Sequence, residues 1–211
     1  SIDSGVGSVL VSTDSRKIAK ISENCGAWVP FLRPKKYATS RSTMMSCIVH
    51  ALNFLKSKNF RLPDYIAIFP PTYPFTTPLS IKKAFNKLRK NNKINSICSY
   101  YQSFNHPFEF VDMKKSKIKF DIITYKGKVL SNFERTQDFP SSFALSGSIR
   151  ITKTKYFEKF LNNKSPSNYN YVVDNKSCIG FELSKRESFD INTTDDYELT
   201  KFLHINRKVF E

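Results

Sequence analysis

Short apolar runs alternate with stretches of helical periodicity along most of this chain, and that alternation limits the fold more than any single motif does. Val9-Leu10-Val11-Ser12 is a short β-branched run, and Thr13-Asp14-Ser15 behind it reads as the N-cap of a helix through Glu23 that Gly26 ends. Trp28 to Leu32 reads as a second short strand. From Ser42, residues Met45, Ile48, Val49, Leu52 and Leu55 recur at helical spacing as far as about Lys56. Tyr65 to Phe69 is continuously apolar, as expected of a strand buried on both faces of a parallel sheet. Thr77-Pro78 is an N-cap and first-turn pair for a helix with Ala84, Phe85 and Leu88 inward. Ser96 to Tyr101 is another strand, and the alternation of Phe108, Phe110, Ile118, Phe120 and Ile122 predicts a β-hairpin excursion between His106 and Phe133. Ser148–Thr152 and Cys178–Leu183 read as further strands. Thr193–Leu203 reads as a closing helix with Asp195 and Asp196 in its first turn, the favourable sign for the dipole. Successive βα units predict a mainly parallel, three-layer α/β domain over residues 1–211.

Composition removes several alternatives. The 211 residues are 40% apolar, with 19 Phe and 10 Tyr, enough for a substantial core, and 25% charged, unlike a disordered chain. No apolar run approaches the roughly 18 residues of a membrane span. The net charge of +16, from 34 basic and 18 acidic side chains, suits nucleic acid, a membrane surface or an anionic small substrate, and equally a solvated lysine-rich surface. Cys25, Cys47, Cys98 and Cys178 have no metal-ligand spacing. With no signal peptide, they read as free, mostly buried thiols of a cytoplasmic protein. The chain begins with Ser1, which reads as a processed or trimmed polypeptide.

In open α/β sheets, ligands bind beyond the carboxyl ends of the strands. That selects Ser12–Ser15, Pro70–Thr77, Ser146-Gly147 and Asp190–Asp196. Three prolines in Pro70-Pro71-Thr72-Tyr73-Pro74 fix a rigid turn that can hold a hydroxyl in place or simply terminate a strand. Asp190, after Ser188-Phe189, is expected to end a strand, where it could face a cation or cap the next helix. The six glycines form no phosphate-cradling loop between a strand and a helix. There is no Ser/His/Asp signature, and His50, His106 and His204 have no evident partner.

Taken in order, these segments resemble the N-acylneuraminate cytidylyltransferases, or CMP-sialic acid synthetases. The likeness runs through Val11-Ser-Thr-Asp-Ser15, Gly26-Ala27, Val29-Pro-Phe-Leu-Arg-Pro34 and Val49-His-Ala-Leu52. It continues in Pro71-Thr72, Pro74, His106-Pro107, Arg135-Thr-Gln-Asp-Phe-Pro140, Ser146-Gly147 and Ser188-Phe-Asp-Ile-Asn-Thr-Thr-Asp-Asp196. The resemblance implies a Rossmann-like nucleotidyltransferase fold that couples CTP to a nine-carbon acidic sugar and releases pyrophosphate, with magnesium (Mg2+). By position, it places Arg33 near nucleotide or triphosphate, with Thr72, Ser146 and Gly147 as further binding residues. Arg135 and Gln137 would sit on a protruding arm, over about residues 104–147, that reaches across a homodimer. Asp190 would be catalytic and a magnesium ligand beside Asn192, and Arg135 would be catalytic too.

The chain departs from the family pattern at Pro70 (Gln in the family), Thr76 (Arg), Thr39-Ser40-Arg41 (Ser-Asp-Thr), Ser146 (Asn) and Asn192 (Asp). The family's N-terminal strand and its Gly- and Lys-bearing loop fall before Val9, where this chain has eight residues, so that loop is expected to be missing. A second reading is therefore an inactive cytidylyltransferase-like module that keeps fold and arm for binding or scaffolding. A third, a basic nucleic-acid binder, rests on charge alone and has no motif to support it.

Overall fold

The computed structural model describes residues 2–103, 105–113, 120–122, 124–161 and 172–206, with 111–113 and 120–122 described by their backbone. In chain order these residues form α1 (Arg16–Asn24), α2 (Met44–Ser57), β1 (Tyr65–Ile68), α3 (Pro78–Arg89), β2 (Ser96–Gln102), β3 (Val111–Met113), β4 (Phe120–Ile122), β5 (Phe143–Lys153), α4 (Thr154–Leu161), β6 (Cys178–Glu182) and α5 (Thr194–Ile205).

The helices begin where local chemistry satisfies their first amides. The side chains of Ser15, Thr43, Thr77 and Thr193 accept from Ile18, Ser46, Ser80 and Asp196 N–H, each bond standing in for an amide that would otherwise lack a partner. Pro78 occupies the first turn of α3, as expected. At α5, Asp196 accepts from Thr193 N–H and Oγ1 at 2.8 Å, closing a capping box.

The main sheet has the order β1-β5-β2-β6. β5 runs antiparallel to both β1 and β2, whereas β2 and β6 are parallel, so three of the four strands share a direction and β5 alone is reversed. Val9–Thr13 and Trp28–Leu32 are extended and run parallel to each other, but they meet only in the isolated bridges Leu10↔Trp28 and Thr13↔Leu32. They are less regular than the two strands expected there, because no third strand continues their ladder among the described residues.

Each face of the sheet is covered, giving three layers. Ile81, Ala84 and Leu88 of α3 pack on Ile97, Ile149, Ile151 and Leu183. On the opposite face, Met45 and Leu52 of α2 and Tyr156 and Phe157 of α4 pack around Ile66, Ile68 and Val172. Burying each of the larger side chains contributes about 1.5–3 kcal/mol. β1 thus lies between two covered faces, as its unbroken apolar run requires. Its ladder neighbour, however, is antiparallel.

Residues 106–139 carry a satellite cluster in which Phe108 is surrounded by His106, Tyr125, Phe133 and Phe139 at ring-centroid distances of 4.4–5.8 Å. β3 and β4 pair antiparallel here, as the expected hairpin excursion requires, while Ile118 of that pattern lies outside the described residues. His106 is structural, since its Nδ1 accepts from Phe108 N–H and its backbone N–H donates to Glu109. The cysteines are all free, but Cys25 is exposed and Cys47, Cys98 and Cys178 are half-buried, not mostly buried as expected. Each of these three lies next to a cavity or a polar side chain, which keeps its sulfur from full enclosure. No helix among the described residues is long and apolar enough to cross a membrane.

Candidate functional site

A bulge in β5 organises the site. Between the Cys98↔Arg150 and Tyr100↔Leu145 pairs, β2 advances two residues while β5 advances five, so Ser146 to Ile149 leave the regular ladder. The Ser99 hydroxyl fills the gap, accepting from Ile149 N–H at 3.0 Å and lying 3.2 Å from the Ser146 and Ile149 carbonyls. The Ser146 hydroxyl braces the same bulge by accepting from Ser148 N–H.

The bulge presses against the proline-rich turn after β1. Gly147 N–H donates to Tyr73 Oη at 3.0 Å, and Thr76 Oγ1 lies 2.5 Å from Ser148 Oγ. Gly147 is required here because a Cβ would sit 2.5 Å from Tyr73 Oη. The loop carrying Asp190 closes the third side: Ile191 N–H donates to the Thr72 carbonyl at 2.9 Å, and the Asp190 carboxylate comes near enough to the Tyr73 hydroxyl to act on its ionisation. Burial raises the Tyr73 hydroxyl above its ordinary value, and Asp190 adds to that against the opposing pulls of Gly147 N–H and Arg150. Tyr73 therefore stays protonated at neutral pH.

Asp190 Oδ1 is buried and has no hydrogen-bond partner among the described residues. An uncompensated buried carboxylate oxygen is costly, and such groups occur where a ligand or ion completes them. No group of three or more Cys, His, Asp or Glu side chains that could hold a metal occurs among the described residues. Magnesium, which commonly takes one or two carboxylates and completes its shell with water and substrate phosphate, still fits this single orphaned oxygen.

Arg33 stands in a neighbouring cluster. Its Nη2 lies 3.5 Å from Asp14 Oδ1 and its Nη1 donates to Cys47 Sγ at 3.2 Å, while its Nε is buried with no partner among the described residues. His50, packed between Phe31 and Tyr37, is held below its ordinary pKa by burial and by the nearby charges of Lys36 and Arg33. Arg150 links the two regions. It is in register with Ile68 and Cys98, its Nη1 lies 3.9 Å from Sδ of Met44 at the start of α2, and its charge is felt at Tyr73.

Of the residues expected from sequence, the structure therefore brings together Thr72, Ser146, Gly147 and Asp190. Arg33 lies in the adjoining cluster. Arg135 and Gln137 are exposed on the arm, where Arg135 donates to its own neighbour Asp138 at 3.1 and 2.8 Å. Asn192 is exposed, and its backbone N–H is spent on Asp196 at the cap of α5. Asp190 does not end a strand: β6 stops at Glu182 and a turn, with Ser188 N–H bonded to the Ser184 carbonyl, carries the chain to the site. Nor does Asp190 cap α5, since Thr193 does. Sequence reasoning missed Arg150. Its signal was a lone arginine inside the apolar run Ile149-Arg150-Ile151.

No protein-family model matches the chain. It is 27% identical over 203 residues to the CMP-N,N'-diacetyllegionaminic acid synthase of Legionella pneumophila, covering 95% of this chain and 79% of that protein. It is 25% identical over 199 residues to the post-translational flagellin modification protein B of Campylobacter coli, covering 92% and 76%. Its fold matches that of a CMP:2-keto-3-deoxy-manno-octonic acid synthetase complexed with CTP, with a TM-score of 0.61 over 96% of this chain and 83% of the other at 11% identity. The order of motifs and these relatives agree: over most of its length the chain is similar to cytidylyltransferases for nine-carbon sugars, and its three-layer fold is that of a nucleotidyltransferase.

Proposed function

We propose that this domain transfers the cytidylyl group of CTP to a nine-carbon acidic sugar, a sialic acid or a relative, releasing pyrophosphate. The observation that carries the proposal is the convergence of the Pro70–Thr77 turn, the β5 bulge and Asp190, with a buried carboxylate oxygen left for a ligand. In-line attack at an α-phosphate is mostly a matter of positioning and charge neutralisation. Asp190, with the Asn192 side-chain oxygen beside it in the chain, would hold Mg2+, which when bound offsets phosphate charge. Tyr73 would flank the Asp190 carboxylate, and the bulge, whose Ser146 hydroxyl and Gly147 N–H are bonded within the protein, would shape the wall beside the substrate. Arg33 and Arg150 supply the fixed positive charge that a triphosphate and a sugar carboxylate need, within a chain whose net charge of +16 attracts both.

Arg135 and Gln137 reach no group of this site within their own chain. They would act on the arm of a second copy, in a homodimer. A reaction that consumes CTP, in a chain whose cysteines are all unpaired, fits the cytoplasm.

The test is pyrophosphate release by the whole natural polypeptide with CTP, magnesium and a nine-carbon acidic sugar. Release that needs both substrates supports the proposal. CTP binding without release from any such sugar would favour the inactive binding module instead.

A further inference from the structure

We propose that Cys98 is a site of reversible S-thiolation by small anionic disulfides, with Cys178 as the hydrogen-bond donor that activates it. The two thiols, 80 residues apart in sequence, lie on neighbouring strands with Cys178 Sγ donating to Cys98 Sγ at 3.6 Å. Both line an open cavity of about 170 Å3 whose walls include Arg150, Asn175 and Ser146. Cys25 and Cys47 have no such setting: Cys25 is exposed, and Cys47 is engaged by Arg33 and the Tyr37 carbonyl.

The groups bearing on Cys98 favour its thiolate. The hydrogen bond from Cys178 lowers its pKa to about 7 against the upward push of burial, and the Arg150 charge helps. Cys178 is pushed up by the same hydrogen bond, by burial and by the charges of Cys98 and Asp174, so Cys98 ionises first. Arg150 also attracts an incoming anion. In the exchange, Cys98 Sγ attacks one sulfur of RS–SR. The new Cys98–SR bond forms as the RS–SR bond breaks, and the departing thiolate takes a proton from solvent.

Strand register sets the fate of the mixed disulfide. Cys98 is opposite Gly180 and Cys178 opposite Ser96, so the thiols are a diagonal pair displaced by two residues. With strands ~4.8 Å apart and ~3.3 Å per residue, their Cα atoms are about 8 Å apart. A disulfide across more than ~7 Å requires backbone movement. The adduct on Cys98 should therefore persist and not resolve into a Cys98–Cys178 bond.

The experiment exposes the native protein to oxidised glutathione at pH 7 and follows intact mass and unreduced peptide maps over time. The expected result is one glutathionyl group, on Cys98, gained before Cys25 or Cys47 reacts and removed by a thiol reductant. In Cys178→Ala the thiolate fraction of Cys98 falls about sixteenfold if its pKa returns to ~8.5, while higher intrinsic nucleophilicity recovers about fivefold. Modification should then be about threefold slower, and Cys178→Ser, which keeps a hydroxyl donor, should restore most of the rate. Modification of Cys25 with Cys98 left as a free thiol would overturn the proposal. So would loss of two hydrogens with a Cys98–Cys178 linked peptide.

Discussion

Gly147→Ala probes the contact on which the site is built. The backbone at Gly147 has no positive φ, so alanine meets no conformational penalty, and the whole effect must come through Tyr73. The added Cβ would lie 2.5 Å from Tyr73 Oη and 2.9 Å from Cε2 and Cζ. Tyr73 has little room to yield, since Pro70, Pro71 and Pro74 fix its turn. Overpacking of this kind costs about 1–3 kcal/mol, and losing the Gly147 N–H to Tyr73 bond costs about 1 kcal/mol more. The sum, roughly 2–4 kcal/mol, corresponds to a fall in melting temperature of roughly 5–15 °C at this chain length. The assay is a double-mutant cycle by urea unfolding. In a Tyr73→Ala background the clash has no partner, so Gly147→Ala should cost less than about 1 kcal/mol, leaving a coupling of about 2 kcal/mol. Equal costs in both backgrounds, or no cost in either, would refute the packing argument.

Gly180→Ala should behave similarly against Tyr100, whose Cε1 would be 2.5 Å from the new Cβ, and Tyr100→Ala should relieve it in the same unfolding assay. Glu187 accepts from Thr77 Oγ1 at 2.8 Å, Thr77 N–H at 3.3 Å and Ser184 Oγ at 3.2 Å. Burial pushes its carboxyl up, but the hydrogen bonds from Ser80, Thr77 and Ser184 outweigh burial and hold its pKa below the ordinary value. Its contribution to stability is therefore complete above an unfolded pKa of ~4.3 and is lost as pH falls through the folded value; Glu187→Gln should flatten that acid limb in melting curves between pH 3 and 6, about that unfolded pKa. Arg135→Ala removes an exposed side chain whose partner among the described residues is Asp138, so it should leave the melting temperature unchanged while lowering pyrophosphate release if the arm serves a second copy's site. Asp190→Asn should lower turnover at least a hundredfold with little change in fold, by the loss of the carboxylate charge that would hold the magnesium offsetting phosphate charge.

The sequence made legible whatever local chemistry determines. Thr77-Pro78 announced α3, the capping residues announced α5, and the unbroken run Tyr65 to Phe69 announced a strand covered on both faces. α4 was missed although Tyr156, Phe157, Phe160 and Leu161 recur at helical spacing, because strand residues run directly into its first turn without a capping signal. The reversal of β5 was not legible, since strand direction depends on where a distant connection returns the chain. Its bulge is equally nonlocal, defined only by comparing its advance with that of β2. Within the site, the motif residues Thr72, Gly147 and Asp190 were legible, but the use of Tyr73 as their link, the insertion of Arg150 and the meeting of Cys98 with Cys178 are tertiary facts.

The central claim is that these strand ends and Asp190 grip a nucleoside triphosphate. The direct measurement is the change in melting temperature on adding CTP with magnesium, set beside ATP and beside the Asp190→Ala protein. A ligand at about a hundred times its Kd stabilises the native state by about 2.7 kcal/mol, or roughly 5–10 °C here. The account predicts that rise for CTP, a smaller one for ATP and almost none in Asp190→Ala. No rise with CTP, or an equal rise when Asp190 is removed, would contradict it.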